Sequence, residues 1–95
     1  MSFLVEENPA KHRFEILVDD ALAGFTAYIP RGEVRVFTHT EVRPEFQDMG
    51  VGGALVKATL DQVRQQGGRV VPQCPFMRAW IERHPDYADL VLVPG

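Results

Sequence analysis

The sequence predicts one small α/β domain (α+β in some schemes) in the order βββαβα, an antiparallel meander that continues into a mixed sheet with one parallel strand pair. Three observations predict it. Polar and apolar residues alternate in consecutive short stretches between His12 and Val42, the period of a half-buried strand. Apolar residues then recur at helical spacing from Val51 to Val63. A β-branched run, Arg69 to Gln73, follows that helix, and a strand reached through a crossover helix lies parallel to the strand before it.

The elements follow in order. Residues 1–11 contain Glu6-Glu7-Asn8-Pro9 and no sustained period; they read as a loose lead-in with at most a short strand at Phe3 to Val5. Arg13 to Val18 is the first strand, stopped by Asp19-Asp20, and Ala23 to Ile29 the second, with Gly24 placed at a bulge. Pro30-Arg31-Gly32 turns into the third. Strict alternation there puts Val34, Val36, Thr38, Thr40 and Val42 on one face, with Arg35, Phe37, His39 and Glu41 on the other. Pro44 ends the strand. Val51, Leu55, Val56, Leu60 and Val63 form one helical stripe closed by Gly67-Gly68. Cys74-Pro75 opens a second helix, in which Phe76 and Trp80 read as core, and His84-Pro85 closes it. Asp86 to Leu92 packs or forms a last strand, and Pro94-Gly95 frays.

Composition bounds the function. The 95 residues, 45% hydrophobic and 24% charged, suit a single globular domain spanning residues 1–95. A net charge of −3 offers no broad basic field for nucleic acid or anionic membranes, so an anion site has to be local. No apolar run nears the roughly 20 residues of a membrane span. Cys74 stands alone and no leader pattern opens the chain, so the expected location is the cytoplasm. Cys74, His39 and His84 lack metal-ligand spacing.

Between the third strand and the first helix lies Gln47-Asp48-Met49-Gly50-Val51-Gly52-Gly53-Ala54. Glycines at a strand-to-helix junction leave amide N–H groups uncovered at a helix start, which suits a phosphate or pyrophosphate. A plain tight turn explains the glycines equally well. Two familiar phosphate motifs do not fit. Ala54 and Leu55 stand where a Walker A loop needs Lys and Ser or Thr, and Asp48 stands where a dinucleotide fingerprint needs glycine.

The wider pattern Val42-x-Pro44-x-Phe46-Gln47-x-x-Gly50-x-Gly52 resembles the acyl-CoA-binding motif of the GCN5-related N-acetyltransferases (GNAT). His39-Thr40-Glu41-Val42 before it, with Cys74-Pro75-Phe76, Trp80-Ile81 and His84-Pro85-Asp86-Tyr87 after it, is similar to the short stand-alone YjdJ-type members. This resemblance spans roughly residues 12 to 90. It implies an acyl-CoA N-acyltransferase-like fold with a splayed parallel strand pair, and acetyl-CoA or coenzyme A as co-substrate. Gln47, Asp48, Met49, Gly50, Val51, Gly52, Gly53 and Ala54 would hold the pyrophosphate, and the main chain of Thr40, Glu41 and Val42 the pantetheine arm. The helical tyrosine that serves as acid in larger members has no counterpart at Trp80 or Ile81, which leaves Cys74 as the near substitute and Tyr87 as a remote one. Acceptor-binding elements of longer members are missing, so the acceptor site is open or completed by a partner protein.

Two side chains are the candidate catalytic residues. Cys74 precedes a helix N-terminus, where the macrodipole favours a thiolate; its plain alternative is a small buried hydrophobe. His39 shares a predicted face with Glu41 about 7 Å along the strand, and an imidazole suits deprotonation of an incoming amine near neutral pH. The sequence thus reads as an acetyl-CoA-dependent N-acetyltransferase, through or assisted by Cys74. The alternative is a CoA-binding or sensing module without turnover.

Overall fold

In a computed structural model, which describes residues 2–92, the strands are β1 (Phe3–Asn8), β2 (Arg13–Val18), β3 (Ala21–Arg31), β4 (Val34–Val42) and β5 (Arg69–Pro72). They form one sheet in sequence order, antiparallel through β4 and parallel between β4 and β5. Helices α1 (Val51–Gln65) and α2 (Pro75–Arg83) complete the α/β architecture. Pro94-Gly95, expected to fray, lie outside the described residues. Among the described residues no helix is long and apolar enough to cross a membrane.

The predicted lead-in is instead a full strand. β1 pairs with β2 from Phe3↔Val18 to Asn8↔Arg13, and the order is ββββαβα. Its period was hidden because an acid, Glu7, stands where alternation calls for an apolar residue. That carboxylate accepts hydrogen bonds from the Tyr28 hydroxyl, from the Arg35 guanidinium at 2.9 Å and from Gln66 at 3.4 Å. Arg35 in turn lies over the rings of Tyr28 and Phe14, 5.2 and 5.6 Å from their centroids. The cluster therefore ties the edge strand to β3, β4 and the end of α1.

Burial raises the Glu7 carboxyl, but the bonds from Tyr28 and Arg35 outweigh it and hold it below the usual carboxylate range. A carboxylate depressed on folding stabilises the fold above its unfolded value of about 4.3 and loses that contribution as pH falls through the folded value. Chemical denaturation between pH 7 and pH 3 is thus expected to give a steeper acid loss for the wild type than for Glu7→Gln. Parallel curves for the two proteins would remove Glu7 from the acid transition.

Both helices cover one face of the sheet. Leu55, Val56, Leu60 and Val63 of α1 and Met77, Trp80 and Ile81 of α2 pack with Phe14, Ile16, Tyr28 and Phe37 in a single core. The opposite face carries Arg13, Glu15, Phe25, His39 and Glu41, with the Arg13 guanidinium 4.5 Å from the Phe25 centroid. After α2 a 3-10 turn, Pro85–Leu90, leads to Val91, which makes a single parallel bridge to Val70. The tail therefore packs and adds one rung rather than a strand.

The predicted faces of β4 require a second correction. The pairing shifts from Ala27↔His39 to Tyr28↔Phe37, leaving Thr38 as an extra residue. Such a bulge reverses the phase of alternation. Phe37 is fully buried in the core and His39 is exposed, although strict alternation puts them together. Thr40, not His39, shares the inner face with Phe37.

Candidate functional site

The bulge lies where the parallel ladder stops. The last β4–β5 pair is Phe37↔Pro72, and proline brings no N–H to continue the ladder. The Phe37 carbonyl instead accepts the Cys74 N–H at 2.9 Å, and among the described residues His39 to Val42 pair with β3 alone. The Arg43 N–H reaches the Ala23 carbonyl at 2.8 Å. Alternation back from Arg43 turns the main-chain groups of Glu41 toward β3 and those of Val42 and Thr40 toward the open edge. The Glu41 carbonyl indeed abuts Gly24, where a β-carbon would collide with it. Of Thr40, Glu41 and Val42, the three residues expected to offer main chain to a ligand, Thr40 and Val42 turn theirs to the edge that β5 leaves open and Glu41 turns its own to β3.

The loop that follows makes a 3-10 turn at Pro44–Phe46, and Asp48 and Gly50 then adopt positive φ of 66° and 75°. Gly50 caps α1 without a side-chain bond. The first bond of the helix runs from the Ala54 N–H to the Gly50 carbonyl at 3.1 Å. The amides of Val51, Gly52 and Gly53 precede it and have no carbonyl within the helix to reach. Their residues line a cleft of about 370 Å³ together with Gln47, Asp48, Gly50 and the apolar Val42, Phe46 and Phe76. Met49 and Ala54 do not line it; both pack partly against the core.

Cys74 is at the N-cap of α2 and only 3% exposed. Its thiol donates to the Thr40 hydroxyl at 3.2 Å, and Thr40 is 2.9 Å from the fully buried Thr26 hydroxyl. His39 points the other way. Its Nε2 is 3.3 Å from Glu41 Oε1, both side chains are more than half exposed, and its ring centroid is 5.9 Å from that of Phe25. The two predicted catalytic side chains thus face opposite sides of β4, divided by the bulge, and make no pair.

One further position differs from the expectation drawn from the sequence. Phe76, expected in the core, is 43% exposed and forms a wall of the cleft. Trp80 is core, as expected, stacked on His84 at 3.8 Å between ring centroids. Tyr87 hydrogen-bonds through its hydroxyl to Asp61 Oδ1 at 2.7 Å. That bond, with some burial, raises its phenol above the ordinary value. Tyr87 is thereby engaged on the flank of α1, outside the lining of the cleft. Thr26 escaped the sequence reading entirely; its only signal is a threonine two residues from Gly24 and Tyr28 on an inward-facing row.

The pattern of a family described as GCN5-related N-acetyl-transferase matches residues 13–90. No curated protein matches the chain. A Staphylococcus aureus protein described as GCN5-like superposes with a TM-score of 0.69 at 21% identity, over 97% of this chain and 90% of that one. The ribosomal-protein-S18-alanine N-acetyltransferase of Escherichia coli gives 0.61 at 18% identity, over 76% of this chain and 50% of its own. Ard1 of Thermoplasma volcanium gives 0.54 at 23% identity, over 82% and 55%. At these identities the likeness is one of fold. The chain spans about half the length of the two longer proteins.

Proposed function

Because the chain belongs to the GCN5-related N-acetyl-transferase family, we propose that it binds acetyl-CoA in the cleft between the glycine loop and the open edge of β4 and transfers the acetyl group to an amine. One observation carries this reading: the first-turn residues of α1 and Val42, on the edge of β4 that β5 leaves open, line one cleft. Acetyl-CoA needs both kinds of donor, one for its pyrophosphate and one for its amide-bearing arm. The amides of Val51, Gly52 and Gly53 hold the phosphates with help from the positive end of α1. The main-chain groups of Val42 and Thr40 bind the arm as an added strand would, and an amide at that edge polarises the thioester carbonyl.

The co-substrate supplies an activated acetyl thioester. Cys74 serves as proton source on the inner side of β4, with its S–H held toward Thr40. His39 and Glu41 take the proton of the incoming amine on the outer side, which no helix covers among the described residues. The acceptor reaches that outer face directly, or a partner protein completes the site there.

Calorimetric binding of acetyl-CoA, followed by CoA release across an amine panel, tests the reading. Cys74→Ser is expected to keep binding and to slow turnover by about 100-fold, a typical loss for a general acid. Intact-mass measurement after mixing with acetyl-CoA separates the two roles of the thiol: an adduct of about 42 Da on Cys74 would replace proton donation by covalent transfer. Absence of acetyl-CoA binding would sink the proposal. Binding without CoA release would favour the module without turnover, a reading supported by the engagement of Tyr87 with Asp61.

A further inference from the structure

Gly52 and Phe76 fit each other in a way that the turn does not require. Within the loop's glycines only Gly50 has a positive φ, so Gly52 is not there for the backbone. Glycine inside a helix is less favourable than alanine. A β-carbon at Gly52 would stand 2.8 Å from Phe76 Cζ and 3.3 Å from Cε2, so the ring fills the space that the missing side chain leaves. Yet the ring is not buried. Met77, Trp80 and Ile81 on the same helix are in the core, whereas Phe76 stays 43% exposed. Core packing does not account for an aromatic seated on a helix start and left facing a cleft.

We infer that Phe76 is a specificity-determining wall of this cleft, which recognises the pantetheine arm of a CoA thioester and not its nucleotide. The inference rests on the acetyl-CoA reading above and deepens it. The cleft has two kinds of lining: loop amides that suit an anion, and the apolar side chains of Val42, Phe46 and Phe76. Val42 also belongs to the edge of β4 that β5 leaves open, so the apolar lining reaches from Phe76, over the helix start, to that edge. A pyrophosphate gains nothing from an aromatic ring. The arm, with its dimethyl-bearing carbon and methylene links, buries apolar surface against it.

The test compares acetyl-CoA with ADP, by calorimetry and by competition, in the wild type, Phe76→Ala, Gly52→Ala and the double variant. Phe76→Ala is expected to weaken acetyl-CoA about tenfold or more and to leave ADP within about twofold. Gly52→Ala is expected to displace the ring and weaken acetyl-CoA, and the double variant to bind no worse than Phe76→Ala, since the added methyl then meets no ring. Equal loss for both ligands would assign the ring to the nucleotide or to support of the loop, and would overturn the inference. So would unchanged acetyl-CoA affinity in Phe76→Ala. A wild type that binds acetyl-CoA but not ADP would overturn the division of the cleft, whereas one that binds neither would overturn the coenzyme reading itself. Because Phe76 is outside the core, thermal unfolding of Phe76→Ala is expected to match that of the wild type closely.

Discussion

Replacing Phe37 with alanine is expected to cost about 3–5 kcal/mol of unfolding free energy, the range for emptying a buried aromatic site. The side chain is fully buried and its ring is 6.1 Å from that of Phe14 and 5.6 Å from that of Tyr28. It is also the last β4 residue paired with β5 and the acceptor of the Cys74 amide. A small domain holds only about 5–15 kcal/mol in total, so the variant is left marginal, with a melting temperature lower by more than about 15 °C. Urea unfolding followed by Trp80 fluorescence measures this. A loss below about 1 kcal/mol would mean that the surrounding rings collapse into the space.

Gly24→Ala is the second large effect, and it links stability to the cleft. A β-carbon there overlaps the Glu41 carbonyl and comes within 3.2 Å of the Val42 Cα. Both obstacles are backbone, so neither can turn aside as a side chain would. Overpacking of this kind costs about 1–3 kcal/mol. Because β4 is unpaired on its other side beyond Phe37, it is free to yield in that direction, which would narrow the open edge. The expected result is lower stability together with weaker acetyl-CoA binding at a temperature where the variant remains folded. Gly50→Ala provides the contrast. Its φ of 75° strains alanine, but nothing is within 4 Å of the added carbon, so the cost is about 1–2 kcal/mol with no displacement of the strand. Equal ligand affinity in Gly24→Ala and wild type would show that β4 absorbs the methyl without moving.

What the sequence disclosed was whatever its local patterns encode. The stripe from Val51 to Val63 gave α1 because helical spacing survives in the residue order, and the strand-to-helix position of the glycines located the cleft. What it concealed depends on partners distant along the chain. β1 is illegible in the sequence because its inward Glu7 is stabilised by Tyr28 and Arg35, neither of which is visible from residues 3–8. The reversal at Thr38 leaves no mark in the residue order because a bulge follows from how two strands align, not from the composition of either. That single residue separated Cys74 from His39 and brought Cys74 to Thr40. Spacing on a short helix does not reveal which apolar residue faces an opening, and Phe76 therefore reads as core from the sequence.

The Glu7 cluster also bears on the order in which the molecule assembles. Its glutamine partner, Gln66, lies 59 residues further along the chain, so the contact waits on closure of a long loop and on prior docking of α1. The contact of β1 with the end of α1 is then expected to lock late. Amide exchange in β1 is expected to report that closing step, and to outpace exchange in β3 and β4, which the sheet encloses on both sides for much of their length.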